Sequence, residues 1–220
     1  MVMKRIIIIC EGETEQTFCN RVLQPYFQER NIHIQAALIK RSKGGIVSWP
    51  ILKKEIEIYL KSDIFAIVTT FIDYYGLFTK LSFPEWKTTE KIADPNARMD
   101  SLESNIKKDI HIDLNDRFIP YIQLHEFEGL LFNDIHIIYE QIPIEDIVNK
   151  KELERTFKDY DNPEMINTNR ETSPSHRLAR IIKGYDKVVY GDILSEAIGL
   201  HRIRNKAPRF NEWISKLENI

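Results

Sequence analysis

Cysteine is nearly absent from this sequence: two residues, Cys10 and Cys19, in a chain of 220. Their spacing gives neither a disulfide framework nor a zinc site, so both are read as buried thiols. Long apolar runs are missing too. The longest, Ile6 to Cys10, ends far short of the roughly 20 residues a membrane-spanning helix needs. No charged, apolar and small-residue signal pattern precedes it, and the expected setting is the cytoplasm, away from membranes. Charge of one sign is not in excess. Thirty-one Lys and Arg against 33 Asp and Glu leave a net charge of −2, which excludes a highly basic nucleic-acid-binding tail and leaves any such contact to a local patch. There is no Walker-type glycine loop, internal repeat, low-complexity tract or linker. What is present is ordinary globular composition, 43% hydrophobic and 29% charged, with enough length for a real core.

The chain opens with Lys4-Arg5, the apolar run, a turn at Glu11-Gly12-Glu13-Thr14, and helical spacing of Phe18, Val22, Leu23, Tyr26 and Phe27 over residues 15–29. That is a buried strand feeding a helix. Residues 32–39 read as a second strand, 48–61 as a second helix, and 64–72 as a third strand ending at Asp73. Strand, helix, strand, helix, strand predicts a parallel α/β sheet. Residues 74–95, aromatic and rich in Pro and Thr, read as a long excursion beside the sheet edge. A helix is expected over 97–110 and a fourth strand over 118–124, delivering His125-Glu126-Phe127-Glu128, with a helix starting at once through Gly129. Helices are predicted at 144–158, 175–183, 192–198 and 209–217, set apart by Asn-Pro, Ser-Pro, Gly and Pro breakers. The expected architecture is one domain over 1–220: a mostly parallel central sheet flanked by helices within 1–135, and a mainly helical extension over 136–220 packed on it.

Function in an open parallel sheet collects at the carboxyl ends of its strands. Three of the predicted strands end in acids: Glu11, Glu13 and Glu15 after the first, Asp73 after the third, Glu126 and Glu128 after the fourth. Crowded carboxylates repel unless protonated or bound to a cation, and Mg²⁺ or Mn²⁺ is the natural partner. The competing reading makes Thr14 an N-cap, with the glutamates favouring the positive end of the helix dipole. Against it stand Gly12, which allows a tight strand-to-helix turn, and Glu15, four residues beyond Glu11 and able to point back over the strand end. The stretch Lys40-Arg41-Ser42-Lys43-Gly44-Gly45 would lie on the same edge, its cations and glycine-rich backbone suited to a substrate phosphate. His201, Arg202, Arg204, Lys206 and Arg209 form a second basic stretch, read as a solvated surface. Tyr74, Tyr75, Phe78, Phe83 and Trp86 could stack on unpaired bases, though sealing the sheet edge is the commoner fate of such rings. His125 is either a base or ligand, or a hydrogen-bonded histidine at a strand end.

Six segments taken in order carry a resemblance: Glu-Gly-x-Thr-Glu at 11–15, Asp-Tyr-Tyr-Gly-Leu at 73–77, His-Glu-Phe-Glu-Gly-Leu-Leu-Phe at 125–132, Pro-Glu-x-Ile-Asn at 163–167, Ser-Pro-Ser-x-Arg-Leu at 173–178 and Gly-Tyr-Asp-Lys at 184–187. Together they resemble the bacterial family called domain of unknown function 4276, which is grouped with the TOPRIM fold of topoisomerases, primases and OLD-type nucleases. The resemblance implies a TOPRIM-like fold. It implies that Glu11 is a metal ligand or general acid/base in phosphodiester cleavage, that Glu15 joins the metal site, and that Asp73 is the first aspartate of the Asp-x-Asp pair. Tyr75 stands where the second aspartate would be, and a tyrosine does not replace a carboxylate on Mg²⁺. An acid from the later strand, Glu126 or Glu128, would supply the missing charge; Glu126, first after the strand, is expected to face inward. Lys187 resembles the late lysine that OLD-type nucleases direct at the transition state.

The expected function is therefore a Mg²⁺- or Mn²⁺-dependent phosphodiester-cleaving enzyme, a nuclease on DNA rather than RNA. By resemblance it would be an effector in an anti-phage system with a separately encoded ATPase. Two alternatives stay open: a non-catalytic TOPRIM-like module that binds nucleic acid or protein, and a phosphotransfer or nucleotidyl enzyme on a small molecule.

Overall fold

The structure, a computed structural model, describes residues 4–40, 42, 45–167 and 170–220. Strands β1 (Lys4–Cys10), β2 (Ile32–Leu38), β3 (Ala66–Asp73), β4 (Phe118–Ile119) and β5 (Ile122–Gln123) form one sheet in the order β2-β1-β3-β4, with β5 also on β3, and every pairing is parallel. β4 and β5 are the expected fourth strand broken in two. Both keep the same register on β3, Val68 beside Phe118 and Ile72 beside Ile122. Pro120 between them has no N–H to give to a ladder. Thr70 repairs the gap: its buried hydroxyl donates to the Tyr121 carbonyl at 2.9 Å and accepts from the Tyr121 N–H at 3.0 Å.

β1 reads as a continuous apolar run because both faces of the sheet are covered. Ile6, Ile8 and Cys10 point into one core, Ile7 and Ile9 into the other. The first core is closed by α1 (Glu13–Phe18), which runs through a π-helical turn at Cys19–Leu23 into α2 (Gln24–Gln28). Further along the chain α6 (Ile135–Gln141), α7 (Lys150–Asp159), α8 (Pro174–Ile181), α9 (Lys187–Lys206) and α10 (Pro208–Glu218) pack on the same side. The second core is closed by α3 (Trp49–Ser62) and α5 (Pro95–Asp109). Phe18, Phe71, Phe127, Phe210 and Trp213 meet edge-on or tilted at the centre of the first core, at 5.0 to 6.4 Å between centroids, tying the last helix of the chain directly to β3. The helical C-terminal part is thus one wall of the main core. Both cysteines are fully buried thiols, their sulfurs 3.9 Å apart.

Several predicted elements shift. The excursion at 74–95 is built from short helical turns at Tyr74–Gly76, Thr79–Leu81 and α4 (Trp86–Thr89). Trp86 stacks on Tyr74 and Phe83 packs on Trp49, so these aromatics seal the second core. The segment after Glu126 is a 3₁₀ turn, Phe127–Leu131, rather than an α-helix. The helix expected from Ile144 begins only at Lys150, because Ile147 bridges to Ile182 and Asn149 caps the helix. The helix expected over 192–198 runs from Lys187 to Lys206, with Gly199 non-helical inside it. Its start is fixed by Asp186, whose Oδ1 accepts from the N–H groups of Val188 and Val189. No helix among the described residues is long and apolar enough to cross a membrane.

Candidate active site

The connection leaving β1 returns over one face of the sheet and the connections around β3 run over the other. The crevice between the carboxyl ends of β1 and β3 is therefore the switch point where an open parallel sheet presents ligand-binding loops. A pocket of about 580 Å³ opens there, lined among others by Glu11, Glu13, Glu15, Ser42, Asp73 and Lys187.

Backbone groups hold the acids in place. Glu11 leaves β1 with its N–H on the Phe71 carbonyl, and its Oε2 accepts from the Asp73 N–H at 3.0 Å. Asp73, the last residue of β3, turns its Oδ1 to the Phe127 N–H at 2.9 Å, stitching the strand to the 3₁₀ turn. Glu15 reaches back to the Gly12 N–H at 2.8 Å. The capping reading thus explains the position of Glu15, with Gly12 rather than Thr14 as the N-cap. Gly12 itself is extended, at φ −141°, a conformation open to any residue. What its missing side chain gives is room, since a Cβ there would sit 3.1 Å from the Glu15 carboxylate.

Glu128 resolves the choice left by the sequence, against the expectation that Glu126 faces inward. Glu126 turns toward α8, accepting from the Ser175 N–H at 2.9 Å and the Ser175 hydroxyl at 3.1 Å. The 3₁₀ turn carries Glu128 under the cluster, where it has no exposed surface and its carboxylate is left, among the described residues, to its own backbone N–H and one cationic side chain. Its contact is the Lys187 ammonium, 3.0 Å from Oε1. Lys187 occupies the first turn of α9, where the helix dipole disfavours a cation. The acids around it reverse that preference and push its pKa up.

The electrostatics follow from burial and crowding. Glu11 is pushed up to about 7, first by burial and then by Glu15, with the Asp73 N–H and Lys187 acting against the rise. Asp73 is held well above the usual carboxylate range by burial, then by Glu15, Glu11 and Glu128, with Lys187 opposing. Burial likewise takes Glu128 to about 7 despite its ion pair with Lys187. Several acids thus share one ammonium, and the site takes up protons or a cation to balance them. Among the described residues no three His, Cys, Asp or Glu side chains are drawn together as a ready-made metal cage.

Other expected contributors lie elsewhere. Gly45 lines the pocket, but the Lys40 ammonium is drawn over the Tyr59 ring, 5.3 Å from its centroid, on a separate groove with Pro50 and Ile58. Lys40 is therefore not a phosphate ligand of this pocket in the present arrangement, and Arg41, Lys43 and Gly44 lie outside the described residues. The second basic stretch is divided: His201, Arg202 and Lys206 are exposed as expected, whereas Arg204 pairs with Glu218 and Arg209 with Asp100 and Glu103. His125, left-handed at φ +66°, is held neutral by burial, its pKa lowered to about 4, with Nδ1 3.5 Å from the Asn167 amide.

The sequence reading missed Gly191. It lies inside α9, where Ala would make the better helix, and its bare backbone touches α1: a Cβ would meet the Thr14 methyl at 2.6 Å. That close approach brings Lys187, one turn earlier, over the acids. The available signal was a glycine inside an otherwise helical pattern.

No curated protein and no solved structure matches the chain. A family model described as "Domain of unknown function (DUF4276)" matches residues 10–218, and the chain that places these acids at one sheet edge belongs to that family.

Proposed function

We propose that this protein is a divalent-cation-dependent phosphodiesterase of TOPRIM-like type, a nuclease acting on DNA, with Mg²⁺ or Mn²⁺ held by Glu11, Asp73 and Glu128 and flanked by Glu15. The observation that carries the reading is this set of buried carboxylates, pushed up by burial and mutual repulsion at the switch point, facing one ammonium and an open pocket. The fully buried Glu128 carboxylate, balanced by a single ammonium, and the all-oxygen donor set fit a hard cation. A cation held there would supply the charge that polarises a phosphate oxygen and lowers the pKa of an attacking water. Glu11, ionised once a cation is bound, would accept the water's proton through a carboxylate oxygen that is not on the cation. Lys187 offsets charge building on the phosphate, and Ser42 and Gly45 border the path by which substrate enters. By family resemblance, a separately encoded ATPase delivers the substrate in an anti-phage system.

Tyr75 favours a second reading. It leaves one aspartate where TOPRIM enzymes carry two, and its side chain is 37% exposed rather than turned into the cluster. A binding module that holds phosphate without cleaving it follows from that. Calorimetry of Mg²⁺ and Mn²⁺ binding to the wild type, Glu11→Gln and Asp73→Asn, followed by cleavage of single- and double-stranded DNA on the same samples, separates the two. Loss of binding and of cleavage together in both variants is the expected result. Binding without cleavage favours the module or a small phosphate ester as substrate, and absence of cation binding by the wild type overturns the metal reading.

A further inference from the structure

Glu128 is fully buried, and among the described residues the one charged partner paired with its carboxylate is the Lys187 ammonium, 3.0 Å from Oε1. An uncompensated carboxylate at such depth is costly, so the lysine is the counter-ion that lets Glu128 lie under the cluster. The lysine itself is not locked in. Its side chain keeps 45% of its surface exposed, it lines the open pocket, and only its backbone is fixed, by the Asp186 cap and the Gly191 contact. Glu11, Glu15 and Asp73 are each tied to a backbone N–H, so Glu128 is the acid whose partner is free to leave.

We infer that Lys187 is a resident stand-in for the divalent cation: it neutralises Glu128 in the cation-free protein and yields that carboxylate when a divalent cation binds, swinging its ammonium outward into the pocket. This rests on the metal reading proposed above and adds its regulation. A cation of charge +2 and an ammonium 3.0 Å from the same oxygen repel strongly, so the two occupy Glu128 in turn. Displacement moves a cationic side chain from the floor of the pocket to the space where a substrate phosphate would sit. Cation binding and phosphate binding are thereby coupled through one side chain.

Two measurements test this. Calorimetry with Mn²⁺ on the wild type and Lys187→Met is expected to show affinity about tenfold tighter in the variant, which has no competing ammonium (about 1.4 kcal/mol). Because loss of Glu128's counter-ion can disturb folding, the second measurement uses the wild type alone. Acetylation of Lys187 by an amine-reactive ester, followed by peptide mass spectrometry, is expected to speed up severalfold when Mg²⁺ is added, while Lys216, on the far α10, keeps its rate. Unchanged or weaker Mn²⁺ affinity in a folded Lys187→Met, or a labelling rate that Mg²⁺ leaves unchanged or slows, overturns the displacement while the metal reading stands. A wild type that binds neither cation removes both.

Discussion

Replacing Gly191 with alanine sets two known effects against each other. In a helix interior alanine is favoured over glycine by about 1 kcal/mol. Here the added methyl would lie 2.6 Å from the Thr14 Cγ2, a distance that forces α1 and α9 apart, while its contact with the Phe127 ring at 3.7 Å is ordinary. Overpacking of this kind costs about 1 to 3 kcal/mol. The expected net result is a loss of up to about 2 kcal/mol, read as a lower urea midpoint with an unchanged slope. Thr14→Ser removes the opposing methyl, and in that background Gly191→Ala is expected to stabilise by up to about 1 kcal/mol. The double-mutant cycle should therefore yield a coupling of about 1 to 3 kcal/mol. If Gly191→Ala stabilises equally with either residue at position 14, the close packing of α9 on α1 is wrong, and the placement of Lys187 over the acids loses its support.

Two further outcomes follow from the site and the sheet. Glu11 and Glu128 titrate near 7 in the folded protein, above the usual value of 4.5, so the stability they contribute is complete below about pH 4.5 and is lost as pH rises through about 7. For a group moved that far the loss is on the order of 3 kcal/mol. Glu103, raised by burial, acts in the same direction and His125 in the opposite one, so the comparison is with Glu128→Gln. In a chelator the thermal midpoint of the wild type should fall relative to that variant across this window, and parallel curves would refute the reasoning. In the sheet, Thr70→Val keeps the shape but leaves the buried N–H of Tyr121 without its hydroxyl partner. A loss of about 1 to 3 kcal/mol in chemical denaturation is expected, and a change below about 0.5 kcal/mol would show that the hydroxyl does not repair the strand.

β1 and β3 were legible because they are short apolar runs ending in acids, and burial on both faces leaves that mark in any register, whereas the edge strand β2 shows itself by alternation, Ile32 and Ile34 buried and His33 and Gln35 exposed. Asp73 falls at the end of β3 for the same reason. Glu126 and Glu128 were not separable from sequence, since the choice depends on a 3₁₀ turn and on Ser175, some fifty residues away. Lys40 follows β2 as expected, yet a nearby tyrosine ring and a glutamate on α3 draw it off the pocket. The second basic stretch reads as solvated surface, and His201, Arg202 and Lys206 are exposed, but Arg209 is half-buried and paired with two acids of α5, a long-range pairing that no local pattern carries. Propensity and periodicity describe neighbours along the chain, whereas the floor of this site is made by neighbours in space.

The order in which a ribosome delivers these residues has a consequence of its own. Glu11, Asp73 and Glu128 all emerge before Lys187, which follows Glu128 by 59 positions. At about 5 to 20 residues per second this leaves roughly 3 to 12 seconds in which the nascent sheet holds its acids without their ammonium. The same interval leaves Phe71 uncovered by Phe210 and Trp213. Both the charge cluster and the aromatic core therefore wait on residues made later than the sheet, first the ammonium of Lys187 and then the rings of Phe210 and Trp213.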